Sequence, residues 1–140
     1  MRRASRSFLV VGLGALWITV ACTTHLPDQD LRILDAHPAA KTSPESVLKE
    51  YQTDGRAAGR TYHGRAIDVS GKVSAIVQDA PSRILFTPDP KPNAISLEAR
   101  LLDDRAAATL KDVTVGQRLT LRCFVEGLDK NVVLKSCIRP

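Results

Sequence analysis

A run of alternating side chains at residues 67–78, IDVSGKVSAIVQ, is the feature that most restricts how this chain can fold. Its apolar side chains fall on every second position, which predicts a β-strand with one buried face. Gly71 occupies that buried face in mid-strand, where a missing side chain permits a bulge or a sharp coil. We therefore expect the first strand of a small, strongly coiled sheet. The inward residues are Ile67, Val69, Val73, Ala75 and Val77.

The rest of the chain predicts two helices and four further strands. Ser43-Pro44-Glu45 is typical of a helix start, and an amphipathic helix of about 18 residues follows, ending near His63. Asp103 or Asp104 is expected to cap a short helix, RAAATLKDV. Strands are predicted at residues 83–87, 94–102, 118–125 and 131–138, with EGLDK joining the last two as a hairpin. The apolar helix positions are Val47, Leu48, Tyr51, Ala58 and Tyr62.

Three strands, a short helix and a hairpin follow one another in the order of an OB-fold, a five-stranded Greek-key barrel. The predicted class is therefore mainly β, or α+β by content. The N-terminal amphipathic helix is an addition to that barrel, and the short helix lies between strands three and four. The alternative architecture is a small α+β sandwich.

The first 22 residues have the composition of an export signal. Arg2, Arg3 and Arg6 form a basic start, and residues 8–21 are an uncharged apolar run of 14 residues. This run is shorter than the roughly 20 residues that a membrane-spanning helix needs, and it fits a secretory signal. Removing residues 1–21 also removes these three arginines, so the formal net charge falls from +5 to +2.

The residues that end this signal, Thr19-Val20-Ala21-Cys22, resemble the lipobox of bacterial lipoproteins, although Thr19 stands where that pattern usually has leucine. The resemblance implies that Cys22 is acylated and becomes the new N-terminus, anchored by several acyl chains. It also implies sorting to the outer membrane, facing the periplasm, because no Asp follows Cys22. The alternative is an ordinary secretory signal cleaved near Ala21.

These assignments divide the chain into three parts. Residues 1–21 are predicted as a signal peptide, residues 22–42 as the lipidated cysteine and a flexible tether, and residues 43–140 as the OB-fold domain. Export places Cys123 and Cys137 in an oxidising compartment, so we expect a disulfide between them. Strict alternation puts these two cysteines on opposite faces of their strands. We therefore predict a bulge between Leu121 and Cys123 that turns Cys123 outward and Phe124 inward.

The residues from Val47 to Val77, together with VGQRLTLRC and the late cysteine in LKSC, resemble the tRNA-anticodon-like OB-fold proteins of bacteria. The shared elements are Tyr62-x-Gly64, the strand pattern Val69-x-Gly71-x-Val73, Gly116 before the fourth strand, and the cysteines. The resemblance covers residues 44–138. It implies common fold ancestry and carries no catalytic residue to this chain.

The sequence offers no pattern for catalysis. His25, His37 and His63 have no metal-ligand spacing, and Asp103-Asp104 begins a helix. No nucleophile elbow or phosphate-binding glycine loop is present. We therefore predict a protein that is not an enzyme and that needs no cofactor and no metal; an enzyme with an unrecognised site is the remaining alternative.

The composition also argues against nucleic acid as the ligand. Binding single strands requires a basic groove and aromatic platforms. The four aromatic residues that follow the signal are expected in the core, and the predicted outer face alternates charge sign, with Asp68 beside Lys72 and Glu98 beside Arg100.

A binding or structural module in the envelope is therefore the predicted function. OB-folds bind ligands on strands two and three and on the adjoining loops. The candidate binding face comprises Arg83, Glu98, Arg100, Asp129 and Lys130. Their mixed charge favours a protein or glycan partner. The alternative is a periplasmic binder of nucleic acid or oligosaccharide.

We expect a Cys22→Ser variant to lose acyl-chain labelling and to leave the membrane fraction, because the acylated thiol is its predicted anchor. Metabolic labelling with a fatty acid and fractionation of the envelope measure both effects. A membrane fraction equal to that of the wild type would refute the anchor.

Overall fold

Seven strands and three α-helices make up the described part of a computed structural model, residues 26–88 and 91–140. The predicted signal peptide and Cys22 lie outside those residues. A 3-10 helix spans Leu31–Leu34. The α-helices are α1 (Pro44–Thr53), α2 (Gly55–Tyr62) and α3 (Asp103–Leu110). The strands are β1 (Ala40–Thr42), β2 (Ala66–Lys72), β3 (Ala75–Val77), β4 (Arg83–Phe86), β5 (Leu97–Leu101), β6 (Arg118–Leu128) and β7 (Val132–Ile138).

The strands form one sheet in the order β1-β2-β6-β7-β5-β4-β3. β2 and β3 are consecutive in the chain, yet β3 is one edge of the sheet and β2 lies next to the other edge. The two residues that link them bond to opposite ends of the sheet: the Val73 amide donates to Gln117, and the Ser74 amide donates to Leu85. The sheet must therefore coil strongly. The chain is mainly β, as predicted, whereas closure into a five-stranded barrel stays a prediction.

The strand count corrects the sequence-based prediction of five. The predicted first strand is divided into β2 and β3 at Val73 and Ser74. The other added strand, β1, lies in the segment that was predicted as a flexible tether, and it pairs in parallel with β2, Ala40 opposite Ile67. A strand of three residues is too short to show a periodicity in the sequence. Its described partner, β2, is also distant in sequence, so no hairpin pattern indicates it.

The predicted single N-terminal helix is instead two helices. Asp54 has extended backbone angles, ends α1 and caps α2, since its carboxylate accepts a hydrogen bond from the Ala57 amide at 3.0 Å. The predicted apolar face is confirmed: Val47, Leu48, Tyr51, Ala58 and Tyr62 are all buried in the core.

The start of α3 also differs from the prediction. Asp103 and Asp104 lie in its first turn rather than at its N-cap, which is Leu102. Carboxylates there still favour the positive end of the helix dipole. The Asp103 amide donates instead to the side-chain oxygen of Gln29 at 2.7 Å. Gln29, which is far from α3 in sequence, thus caps the start of this helix.

Cys123 and Cys137 are joined, as the sequence predicts. The bulge that brings them together lies in β7, whereas the sequence predicted it in β6. Cys123 and Cys137 form a disulfide and both are fully buried in the main core. Cys123 therefore faces inward with Leu121, and Phe124 faces the opposite side of the sheet. The register shows Arg122 opposite Ile138 and Phe124 opposite Lys135, so the extra residue lies in β7.

Ser136, with a φ of 54°, is that extra residue. Lys135 and Ser136 both face away from the core, and Cys137 consequently turns inward to meet Cys123. Closing a loop of 14 residues in this way contributes about 3 kcal/mol by the chain-entropy argument.

Gly71 sits where the start of α1 meets the sheet. A Cβ at this position would lie 2.4 Å from Cγ of Pro44 and 3.2 Å from Cδ1 of Phe86. The missing side chain thus allows Pro44 to dock against the coiled strand. Gly71 therefore has a packing role in addition to its predicted role in strand coiling. The strand pattern alone does not indicate this second role.

We expect Gly71→Ala to lower the free energy of unfolding by about 1–3 kcal/mol, because the added methyl group would force Pro44 from its site. Gly59→Ala is the control: a Cβ there meets nothing within 4 Å. In mid-helix, alanine should be stabilising by about 0.5–1 kcal/mol. Chemical denaturation measures both values, and equal stabilities for Gly71→Ala and the wild type would contradict the packing role.

Candidate functional site

The outer face of the sheet, the side turned away from the main core, carries three of the five predicted binding residues close together. Arg83 on β4 and Arg100 on β5 are directly opposite each other in register. Glu98 lies between their side chains: its Oε1 is 2.9 Å from Nε of Arg100 and 3.7 Å from Nη1 of Arg83. The Glu98 side chain is 11% exposed, whereas the two arginines are about one-third exposed.

This triad shapes the charge of the face. Like charges directly opposite on neighbouring strands repel, and a single carboxylate between two guanidinium groups removes that repulsion. Beside the triad lies Leu85, which is half-buried and pairs with Ala75 of β3 and Glu98 of β5. The open part of the outer face is thus a mixed patch of one aliphatic and three paired charged side chains.

Asp129 and Lys130 do not belong to the same patch. They are exposed in the turn between β6 and β7. Val132, just after that turn, pairs with Leu97 at the start of β5. Arg100 lies three residues further along β5, a distance of about 10 Å along the strand. The structure therefore separates the predicted binding residues into two places.

The remainder of the outer face is covered by residues 26–39, which we call the N-terminal segment. Lys135, 10% exposed in its side chain, donates from Nζ to the Leu26 carbonyl at 3.0 Å and contacts a carboxylate oxygen of Asp28 at 2.9 Å. The Ser136 hydroxyl accepts from the Asp30 amide at 2.8 Å. The expectation of a flexible tether is therefore wrong for this segment: β7 supplies polar groups that hold it.

Apolar contacts and a buried ion pair hold the rest of this segment. Ile33, fully buried, packs with Phe124 in a second small core that also contains Ala66, Leu102 and Ile138. The guanidinium of Arg122 donates to both carboxylate oxygens of Asp68, at 2.7 and 3.0 Å, and to the Ala36 carbonyl at 3.1 Å. The expected docking of the apolar cluster at residues 31–34 is confirmed for Ile33, while Leu31 and Leu34 remain exposed.

Two carboxyl groups of the segment are stabilised in their charged form. The hydrogen bond from Arg32 lowers the pKa of the Asp30 carboxyl, and the one from Lys135 lowers the pKa of the Asp28 carboxyl. Asp30 is 7% exposed and also caps the 3-10 helix by accepting from the Arg32 amide. The Asp28–Lys135 pair joins the segment to β7, whereas the Asp30–Arg32 pair stabilises the turn within the segment, so at neutral pH both favour the attached conformation.

A shallow groove of about 670 Å³ lies between the helices and the far end of β6. Sequence reasoning did not identify it, although the spacing of Gly55 and Gly59 on one helix face could have indicated it. Tyr51 lines the groove; its buried hydroxyl has no hydrogen-bond partner among the described residues. The groove is lined by Tyr51, Gly55, Gly59, Arg60, His63, Glu126, Gly127 and Leu128.

Both tyrosines near this groove stay protonated. Burial and a hydrogen bond to Glu50, 2.8 Å from the hydroxyl, raise the pKa of Tyr62 to about 12. Burial also raises the pKa of Tyr51. These hydroxyls are therefore hydrogen-bond donors at any physiological pH and do not act as bases.

The aromatic residues of the described chain offer no stacking surface. Tyr51, Tyr62, Phe86 and Phe124 are each at most 8% exposed. In residues 26–88 and 91–140, no three His, Cys, Asp or Glu side chains are grouped as metal ligands would be. The same residues contain no helix long and apolar enough to cross a membrane.

The chain is similar to known proteins at two levels. The tRNA_anti-like family model matches residues 4–138. The fold is similar to the crystal structure of a "putative nucleic acid-binding lipoprotein" from Klebsiella pneumoniae subsp. pneumoniae MGH 78578, with a TM-score of 0.52. The sequence identity is 14%, over 76% of this chain and 92% of that chain, so the likeness concerns the fold alone. No curated protein matches.

We expect acid to release the N-terminal segment before the domain unfolds. The ion pairs contribute fully above the ordinary carboxyl pKa of about 4 and are lost as the pH falls through the lowered values. Amide signals of Ile33 and Ser136, followed by NMR from pH 7 to about pH 2, report the release.

An Asp30→Asn variant should hold the segment more weakly, by about 1 kcal/mol, because the turn before Ile33 loses its pair with Arg32, and it should lose the part of the acid response that does not depend on the Asp28–Lys135 pair. Asp35→Asn, at an exposed position on the same segment, is the matched control. Retention of the full acid response by Asp30→Asn would contradict the assignment.

Proposed function

Because this chain belongs to the tRNA_anti-like family, we propose that it is a non-catalytic binding or structural module, built on an OB-fold barrel and anchored in the bacterial envelope by lipid on Cys22. The barrel would close where β2 passes into β3. Closure is supported by the backbone hydrogen bonds that the adjacent residues Val73 and Ser74 donate to opposite ends of the sheet. Six of the seven strands, β2 to β7, make five when β2 and β3 are counted as one long strand, and these five follow the OB-fold order.

The choice of partner rests on the ion pairs within the Arg83–Glu98–Arg100 triad. Both arginines are already paired with Glu98, so they present a mixed charge rather than a continuous cationic groove. The four described aromatic residues are buried, so bases would find no platform on which to stack. A protein or glycan with its own mixture of donors and acceptors fits this face better than a polyanion.

The envelope location rests on the N-terminal sequence. The basic start, the short apolar run and Cys22 have the order of a lipoprotein signal. The similar structure from Klebsiella is itself named a lipoprotein, which supports the same placement. Thr23 in place of an acidic residue supports the outer membrane, with the domain facing the periplasm.

Binding of nucleic acid is the second candidate, and a specific feature favours it. The Klebsiella protein's name includes nucleic-acid binding, and Arg83 and Arg100 stand side by side on the strands that OB-folds use for ligands. In this alternative a phosphate would compete with Glu98 for the two guanidinium groups. An oligosaccharide on the same face would need only hydrogen bonds between its hydroxyl groups and the guanidinium and carboxylate groups of the triad.

We expect the purified protein to bind single-stranded oligonucleotides no better than the nonspecific Kd of about 10⁻⁴ M at physiological salt. Fluorescence anisotropy at two salt concentrations measures this. Glu98→Gln is the informative variant, because it frees both arginines and should tighten binding by about ten-fold. Wild-type binding in the micromolar range that Arg83→Gln/Arg100→Gln abolishes would establish the second candidate instead.

The proposed partner has a direct test in cells. A photo-crosslinking residue in place of Leu85 should capture an envelope protein or glycan, and Arg83→Gln/Arg100→Gln should reduce that product at least several-fold. The same crosslinker at Val115, which is 62% exposed and lies before β6, outside the triad, is the control. An identical product from both positions would refute a partner specific to this face.

A further inference from the structure

Three arginines without partners lie within ten residues of the chain. Arg56 and Arg60 are exposed on α2, and Arg65 is exposed just after it. No hydrogen bond or ion pair joins their side chains to another described residue. This contrasts with Arg83, Arg100 and Arg122, each of which contacts a carboxylate. The side of the molecule that carries α2 therefore presents three positive charges that no described carboxylate compensates.

The groove beside α2 adds a smooth apolar surface to these charges. Gly55, Gly59 and Gly127 contribute only backbone, and a Cβ at any of the three would meet nothing within 4 Å. Leu128, at the rim, is 49% exposed. A flat apolar surface with a basic border is the composition of a site that rests on a membrane interface.

The position of the N-terminal segment brings this same surface to the lipid anchor. The Leu26 amide donates to a carboxylate oxygen of Glu126 at 3.1 Å, and Glu126 itself lines the groove. Leu26 is four residues after Cys22. Four residues of fully extended chain reach at most about 14 Å. Acyl chains on Cys22 would hold the membrane surface within that distance of Leu26.

We propose that the surface formed by Arg56, Arg60, Arg65 and Leu128, the docking surface, lies against the membrane and binds anionic phospholipid headgroups. The proposal rests on the lipid anchor proposed above and specifies which side of the domain meets the bilayer. The arginines donate to headgroup phosphates, and Leu128 enters the interfacial region. The headgroup also brings acceptor oxygens to the groove that Tyr51 lines.

This orientation leaves the proposed partner site free. The Arg83–Glu98–Arg100 triad lies on β4 and β5, whereas the docking surface lies on α2 and the far end of β6. The strand order places β7 between β6 and β5. A domain held by its docking surface would present the triad away from the lipid attachment.

Tryptophan probes test the orientation in the exported protein, purified as the cell makes it. Leu128→Trp reports the docking surface, and Val115→Trp reports the opposite end of β6, about 30 Å away along the strand. The sole native tryptophan, Trp17, is removed with the signal. Vesicles contain brominated lipid and either phosphatidylglycerol with phosphatidylethanolamine or phosphatidylcholine alone.

We expect Leu128→Trp to shift to shorter wavelength and to be quenched in the phosphatidylglycerol vesicles, and Val115→Trp to stay unchanged. Arg56→Gln/Arg60→Gln should weaken this docking about thirty-fold, at the usual contribution of an arginine near an anionic surface. Lys72→Gln/Arg118→Gln removes the same charge at the other end of the sheet and should have no effect. Quenching of Val115→Trp, or of neither probe in vesicle-bound protein, would overturn the proposal.

The remaining outcomes separate docking from anchoring. An intact mass without acyl chains refutes the anchor alone, and arginine-dependent sedimentation of that protein with phosphatidylglycerol vesicles would still support docking. A protein that carries no acyl chains and also fails to sediment with these vesicles would refute the docking surface. An oligonucleotide that binds these arginines and displaces the protein from vesicles would overturn it in favour of nucleic acid.

Discussion

One extra residue in β7, Ser136, determines how the two sides of the sheet are used. By breaking the alternation it turns Cys137 into the core, where the disulfide with Cys123 forms. It also leaves Lys135 and Ser136 side by side on the outer face, where they bind Leu26, Asp28 and Asp30. The internal crosslink and the attachment of the N-terminal segment therefore depend on the same local irregularity. A regular strand could provide at most one of them.

Attachment of the N-terminal segment divides the outer face into two parts. Over β2, β6 and β7 the segment buries an apolar cluster around Ile33 and Phe124 and covers the Arg122–Asp68 ion pair. Over β3, β4 and β5 the face stays open, with Arg83, Arg100 and Leu85 partly exposed around the buried Glu98. Ligand binding on the open part is thus compatible with an anchor that emerges from the covered part. This division would also shorten the chain between the domain and the proposed lipid anchor, since residues 26–39 are held in place.

The charges of the molecule follow the same division. Arg83, Arg100 and Arg122 on the sheet are paired with Glu98 or Asp68, so their positive charge is locally compensated. Arginines on α2 have no such partners among the described residues, and one of them, Arg60, lines the groove that Gly55 and Gly59 leave open. Unpaired cations are the ones available to an anionic surface, whereas paired ones provide specificity through geometry. The two surfaces therefore suit different kinds of partner.

The sequence by itself determined the mainly β class, the helical core residues and the pairing of Cys123 with Cys137, because periodicity and cysteine number are local properties of the chain. It also indicated Gly71, since a glycine on a buried strand face demands a structural reason. Only the tertiary structure decided that Pro44 fills the space beside Gly71, that β1 exists and that the N-terminal segment is attached. It also placed the bulge beside the cysteines in β7 rather than in β6. Alternation is broken equally by an extra residue in either strand, so the choice depends on contacts between residues more than a hundred positions apart, such as Asp30 with Ser136.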